Sequence, residues 1–230
     1  MHTIALLPLR LRVFTTLYLL SGAAALLYEV AWLRLLTMST GHTTAAVGAV
    51  LSAFMGGLAI GAWTGGRISS GLPAPRALRI YAALEVTIAI FALVIPLALN
   101  AMRPLLAWAY ADGTGGAMFG ATRLVVSILL IALPAAAMGA TFPVGVVSVG
   151  NKDAAGLYAA NTVGAAMGAA LTGFVLLPSF GLFGATLVGI VLNVITALGA
   201  VVLSSAGPSS PQIESPPRFA DRRSVSRRSA

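Results

Sequence analysis

The chain contains no cysteine, which excludes disulfides, a thiolate metal site and a cysteine nucleophile. Its only histidines, His2 and His42, are too few to build a metal centre by themselves, and no metal or cofactor is expected. Soluble-enzyme signatures are missing as well: there is no Walker loop, no HExxH and no GxSxG. Gly113-Thr114-Gly115-Gly116 resembles a nucleotide loop only superficially, because no strand precedes it and no acidic residue follows at the required distance. Charge is scarce, at 9% of residues, and between Ala154 and Ile213 sixty consecutive positions lack any Asp, Glu, Lys or Arg. A soluble core of this size needs no such run. The hydrocarbon layer is about 30 Å thick and takes roughly 20 apolar helical residues to cross. The run therefore predicts two crossings joined at Pro178-Ser179-Phe180-Gly181.

What is present agrees with an integral membrane protein: 58% of residues are hydrophobic and the mean hydropathy is +0.94. The net charge of +8 could suggest nucleic acid, but a basic nucleic-acid-binding domain would not carry this hydropathy. Nucleic acid is not an expected partner, and the anionic head groups of the lipid bilayer are. Six segments meet the length criterion, at about 13–36, 44–64, 78–99, 122–149, 155–177 and 182–203. They lack the alternation of barrel strands, so they are expected to be helices. The fold class is all-α, a polytopic bundle of about six transmembrane helices over residues 1–203. From 204 to 230 the composition turns to Ser, Pro and Arg, which predicts a disordered basic tail.

Orientation follows from Lys and Arg, which cytoplasmic loops retain. Arg10, Arg12, Arg67, Arg76, Arg79, Lys152 and five tail arginines flank one side, while Arg34, Arg103 and Arg123 flank the other. Both termini are thus expected on the cytoplasmic side of a bacterial inner membrane. Trp32, Trp63, Tyr81, Trp108 and Tyr110 fall near predicted span ends, where amphipathic rings favour the head-group region. The N-terminus imitates a secretory signal, with two arginines and the small residues Ala23-Ala24-Ala25. Its apolar character continues to Leu36, which suits a retained span better.

The halves match faintly at an offset of roughly 107 to 112 residues: Ala23-Ala24-Ala25 and the glycines after it correspond to Ala135-Ala136-Ala137, Gly164 and Gly168. Three spans per unit would invert the second unit relative to the first, a 3+3 arrangement seen in transporters. Gly57, Gly61 and Gly65 share one face of span two, and Gly164 and Gly168 share one of span five. Such small residues let helices approach closely in lipid. Pro134 and Pro143 make span four the expected bent helix.

Glu29 and Glu85 carry the most functional weight, because an ionised side chain near mid-bilayer costs at least about 2.5–3.5 kcal/mol. Each needs a partner, a proton or water. Arg123 is the expected cross-bundle partner of Glu29, and Arg67 or Arg79 of Glu85. Arg34 is five residues from Glu29 and poorly placed to pair with it on the same helix. A structural ion pair and a proton- or cation-binding role are both open for these glutamates. Asn161, Thr162 and Asn193 either line a polar path or hold helices together.

A family resemblance adds to this. Ser21 to Arg34 (Ser21-Gly22-Ala23-Ala24-Ala25-Leu26-Leu27-Tyr28-Glu29-Val30-Ala31-Trp32-Leu33-Arg34), Phe54-Met55-Gly56-Gly57-Leu58-Ala59-Ile60-Gly61, Met138-Gly139-Ala140-Thr141-Phe142-Pro143, and Tyr158 to Gly173 with Asn161-Thr162-Val163-Gly164-Ala165 occur in that order. Over roughly residues 13 to 203 the chain resembles the membrane region of bacterial spermidine synthase-like proteins. In that family the membrane region is commonly fused to a C-terminal aminopropyltransferase domain that uses decarboxylated S-adenosylmethionine. Here only the segment from Ser204 to Ala230 follows, so catalysis is not expected of this chain. In span count the membrane half also resembles half of a major facilitator transporter.

The resemblance implies a membrane module that transports or senses a small cationic solute such as a polyamine. Glu29 and Glu85 would supply counter-charge, with Arg34, Tyr28, Trp32, Thr141, Tyr158 and Asn161 completing the candidate site. A homodimer or a separately encoded second half is the expected assembly. The alternatives are an anchor for a separately encoded aminopropyltransferase, or a truncated remnant of a fused synthase.

Overall fold

The computed structural model describes residues 2–111, 113 and 116–205, with backbone alone for 2–8, 40 and 151. The expected basic tail lies almost wholly outside these residues. All regular structure described is helical: α1 (His2–Thr40), α2 (Thr44–Ser69), α3 (Ala74–Ala109), α4 (Ala117–Ser127), α5 (Leu133–Val149), α6 (Ala154–Leu171) and α7 (Leu177–Ser205). Five segments among the described residues are long and apolar enough to cross a membrane: Leu9–Ser39, Thr44–Ser69, Ala74–Ala109, Ala117–Val149 and Ala154–Ser205. Large apolar side chains such as Phe174, Phe183, Leu97 and Leu129 stand fully outward. In water such a surface would be an aggregation liability, whereas lipid solvates it. This is a multi-pass membrane protein.

Several helices extend beyond their predicted ends, among them α1, which runs from His2 to Thr40, and α2, which runs to Ser69. α3 runs on to Ala109, ten residues past the expected limit, carrying Arg103 and Pro104 as helix. α4 begins at Ala117, five residues early. Hydropathy marks the lipid-crossing part of a helix, but backbone hydrogen bonding carries the helix into the polar zone beyond it.

Proline leaves a specific mark. α4 and α5 are joined by a π-helical turn at Ile128–Ala132, two residues before Pro134, and α6 and α7 by another at Thr172–Leu176, two residues before Pro178. Proline offers no N–H and its ring crowds the preceding turn. A widened turn accommodates both defects without breaking the helix. Pro178 therefore does not end the helix, and the non-helical residue is Gly181, with φ 64° and ψ −172°. Its positive φ is one that glycine adopts at little cost.

The chain changes direction relative to α1 across Gly181. Before it, Gly164 lies against the Leu19 carbonyl and Gly168 against that of Ala23, so α6 runs parallel to α1. After it, Asn193 meets Tyr28, Thr196 meets the Leu17 carbonyl and the Leu203 carbonyl accepts from Arg10, so α7 runs antiparallel. As one straight helix, the 52 residues of Ala154–Ser205 would span about 78 Å.

Two apolar clusters fill the bundle. One, near the Arg10 end, includes Phe14, Tyr18, Tyr81, Val144, Leu157 and Ala200. The other includes Tyr28, Trp32, Phe54, Ile95, Val126 and Ile131. Gly57, Gly61 and Gly65 of α2 pack on Ala132, Ala136 and Ala140 of the fourth segment. Trp32 and Tyr81 are both buried in the core, which corrects their expected place at the head groups. Trp63, Trp108 and Tyr110 are exposed.

Candidate functional site

Phe14, Tyr18, Ser21, Tyr28 and Trp32 recur at steps of three, four or seven along α1 and share one face. That face presents the polar groups of the bundle interior to α3 and α7. Glu85 of α3 is fully buried. The Ser21 hydroxyl donates to its Oε1 at 2.5 Å, and the Asn193 amide donates to its Oε2 at 2.5 Å. Asn193 Oδ1 in turn accepts from the Tyr28 hydroxyl at 2.8 Å. The network thus ties α1, α3 and α7 together through one carboxyl group. The buried Tyr81 hydroxyl lies beside that group without meeting hydrogen-bond geometry.

No cationic side chain pairs with Glu85 among the described residues, contrary to the expected Arg67 or Arg79. The Arg67 guanidinium stacks over Trp63 at 3.9 Å, and Arg79 is exposed. Both arginines belong to the polar end of the bundle, whereas Glu85 lies more than a turn deeper on α3. Arg123 does not pair with Glu29 either: its Nη1 donates to Thr43 Oγ1 at 3.1 Å. Glu29 is 9% exposed.

Beside the network lies a cavity of about 300 Å³ bounded by α1, α2, α3, α5, α6 and α7. Tyr18, Ser21, Thr141, Tyr158, Asn161 and Asn193 form its polar wall, and Phe54, Met138 and Phe142 its apolar one. The rings of Tyr18 and Phe142 are 6.4 Å apart, and those of Phe142 and Tyr158 5.9 Å apart. Such an aromatic wall suits an organic cation. Ala62 and Tyr158 are exposed at the rim, so the cavity opens between α2 and α6.

The structure thus gathers Thr141, Tyr158 and Asn161 around one cavity, with Glu85 one hydrogen bond behind it. Tyr28 touches the cavity only through Asn193. Trp32 stacks on Tyr28 at 5.1 Å and lines a separate apolar pocket with Pro96 and Phe183. Glu29 sits one turn along α1 from the lining residues Ala25 and Leu26 but is not itself part of the wall, and Arg34 is exposed. Sequence reasoning passed over Tyr18, Ser21 and Phe142. For Tyr18 and Ser21 the signal was their spacing from Tyr28 on one face of α1, whereas Phe142, on α5, carried no such signal.

Compared with known proteins, the chain matches no family model, no curated protein and no solved structure.

Proposed function

We propose that this multi-pass membrane protein binds and moves, or senses, a small cationic solute of the polyamine type in the cavity beside Glu85. The observation that carries this reading is a polar, aromatic-walled cavity. Two of its lining residues donate to a buried carboxyl group that has no cationic partner among the described residues. A buried negative charge demands compensation, and an ammonium group in the cavity would provide it.

The proposed architecture is six crossings in a 3+3 inverted repeat, with both termini cytoplasmic in a bacterial inner membrane. Opposite running directions of α6 and α7 against α1 support the sixth crossing. The packing supports the repeat. Gly57 on Ala132 and Gly61 on Ala136 correspond to Gly164 on Leu19 and Gly168 on Ala23, with offsets of 107 residues between the glycines and 113 between their partners. Segment one thus meets segment five as segment four meets segment two. Arg10, Val149, Asp153 and Leu203 gather around one pocket, the end where the excess of arginine falls. The cavity's open side between α2 and α6 is where a second copy, or a separately encoded half, would close it.

Because the chain lacks cysteine, single cysteines test this topology cleanly. Ser179→Cys is expected to react with an impermeant maleimide in intact cells and Lys152→Cys only after permeabilisation; equal behaviour of the two would refute the sixth crossing. The solute reading is tested by uptake of radiolabelled putrescine and spermidine into proteoliposomes. Saturable movement, reduced at least tenfold by Glu85→Gln, is expected. Absence of both binding and movement would favour an anchoring role instead.

A further inference from the structure

We infer that Glu85 exchanges one positive charge for another: it holds a proton while the cavity is empty and surrenders it when an ammonium group enters. This rests on the solute reading above and specifies how that site works. The fully buried carboxyl group receives hydrogen bonds from two neutral donors, Ser21 and Asn193. Ionised and alone, it would be an uncompensated buried charge, which proteins avoid by neutralisation or pairing.

The groups facing it leave only the cavity to supply a cation. From α1 these are Ser21 and the tyrosines Tyr18 and Tyr28; from its own helix, Tyr81; from α7, Asn193. Neither α5 nor α7 contains an Asp, Glu, Lys, Arg or His.

Ser21 is the relay. A hydroxyl can donate or accept, whereas the Asn193 amide nitrogen can only donate and so keeps Oε2 an acceptor in both states. With Glu85 ionised, the Ser21 hydroxyl donates to Oε1 and its lone pairs are left for the cavity, where they accept from an ammonium. With Glu85 protonated on Oε1, the carboxyl O–H donates to Ser21 Oγ. The serine hydrogen then turns toward the cavity, which disfavours a cation. The exchange is balanced: a protonated carboxyl group plus an ammonium ion gives a carboxylate–ammonium pair plus one proton released to water. Ser21 is a positioning residue in this scheme.

The test is isothermal titration of the purified full chain with putrescine at pH 7 in two buffers of very different ionisation enthalpy. About one proton released per putrescine is expected, with the release abolished in Glu85→Gln. Independently of any variant, putrescine affinity of the wild type should rise close to tenfold per pH unit while Glu85 remains protonated in the empty site. Binding with no buffer dependence and no pH dependence overturns the exchange and leaves the solute reading standing. Release that persists in Glu85→Gln also overturns it. No binding of putrescine at any pH overturns both.

Discussion

Gly61→Leu should lower the unfolding temperature of the purified protein by roughly 6–12 °C. A Cβ at Gly61 would overlap the backbone carbonyl of Ala136. That obstacle is main chain, so no change of rotamer relieves it and α2 must move away from α5. Overpacking of this kind costs about 3 kcal/mol or more, and each kcal/mol is worth about 2–4 °C in a chain of this length. Gly56, one residue along the sequence, meets nothing within 4 Å. Gly56→Leu should therefore be neutral or slightly stabilising, since leucine favours helix by roughly 1 kcal/mol over glycine. Thermal unfolding in detergent, followed by aggregation or intrinsic fluorescence, distinguishes the two. Equal effects would mean that the close α2–α5 contact does not exist.

Asn193→Leu is expected to cost about 3 kcal/mol, because leucine fits the space but satisfies nothing. Asn193 is 1% exposed and joins Tyr28 to Glu85. Its loss orphans the Tyr28 hydroxyl and Glu85 Oε2, at about 1–3 kcal/mol for each buried group. Replacing every partner with an apolar group of similar shape can be nearly neutral. The quadruple variant Ser21→Ala, Tyr28→Phe, Glu85→Leu, Asn193→Leu, which also removes the donor to Oε1, should consequently regain most of the lost stability while showing no putrescine uptake. Such a result separates holding the bundle together from handling solute. If the quadruple variant still transported putrescine, Glu85 would have no functional role.

Much of the architecture is legible in the sequence for physical reasons. The long uncharged runs can satisfy their backbone in lipid only as helices, so class and approximate spans follow from composition. Glycines four residues apart mark a face of close approach, but nothing local names the helix they meet. The pairing of Gly61 with Ala136 is a property of the assembled bundle. Pro178 opens the expected junction but stays helical, because a π-turn can absorb a proline and the sequence carries no sign of that turn. Gly181 was one of four residues in the expected break, and its positive φ shows where the helix departs.

The site was legible in part. Glu85 stands out in sequence because a carboxyl group in an apolar helix is costly wherever it points. Its partners do not stand out. Ser21 and Asn193 are ordinary polar residues until they are brought beside Glu85 from 64 and 108 residues away. Pairing glutamates with arginines by charge alone failed for the same reason. Arg67 is exposed and finds Trp63 on its own helix, whereas Arg123 is buried and reaches Thr43, both at the bundle's ends.

The most direct test of an amine-binding cavity uses the cysteine-free background. Asn161→Cys places one thiol in the cavity wall, and a small thiol reagent bearing an ammonium group should modify it. Saturating putrescine should slow that reaction at least tenfold, and Glu85→Gln in the same background should abolish the protection. Labelling at an unchanged rate with and without putrescine would contradict the account.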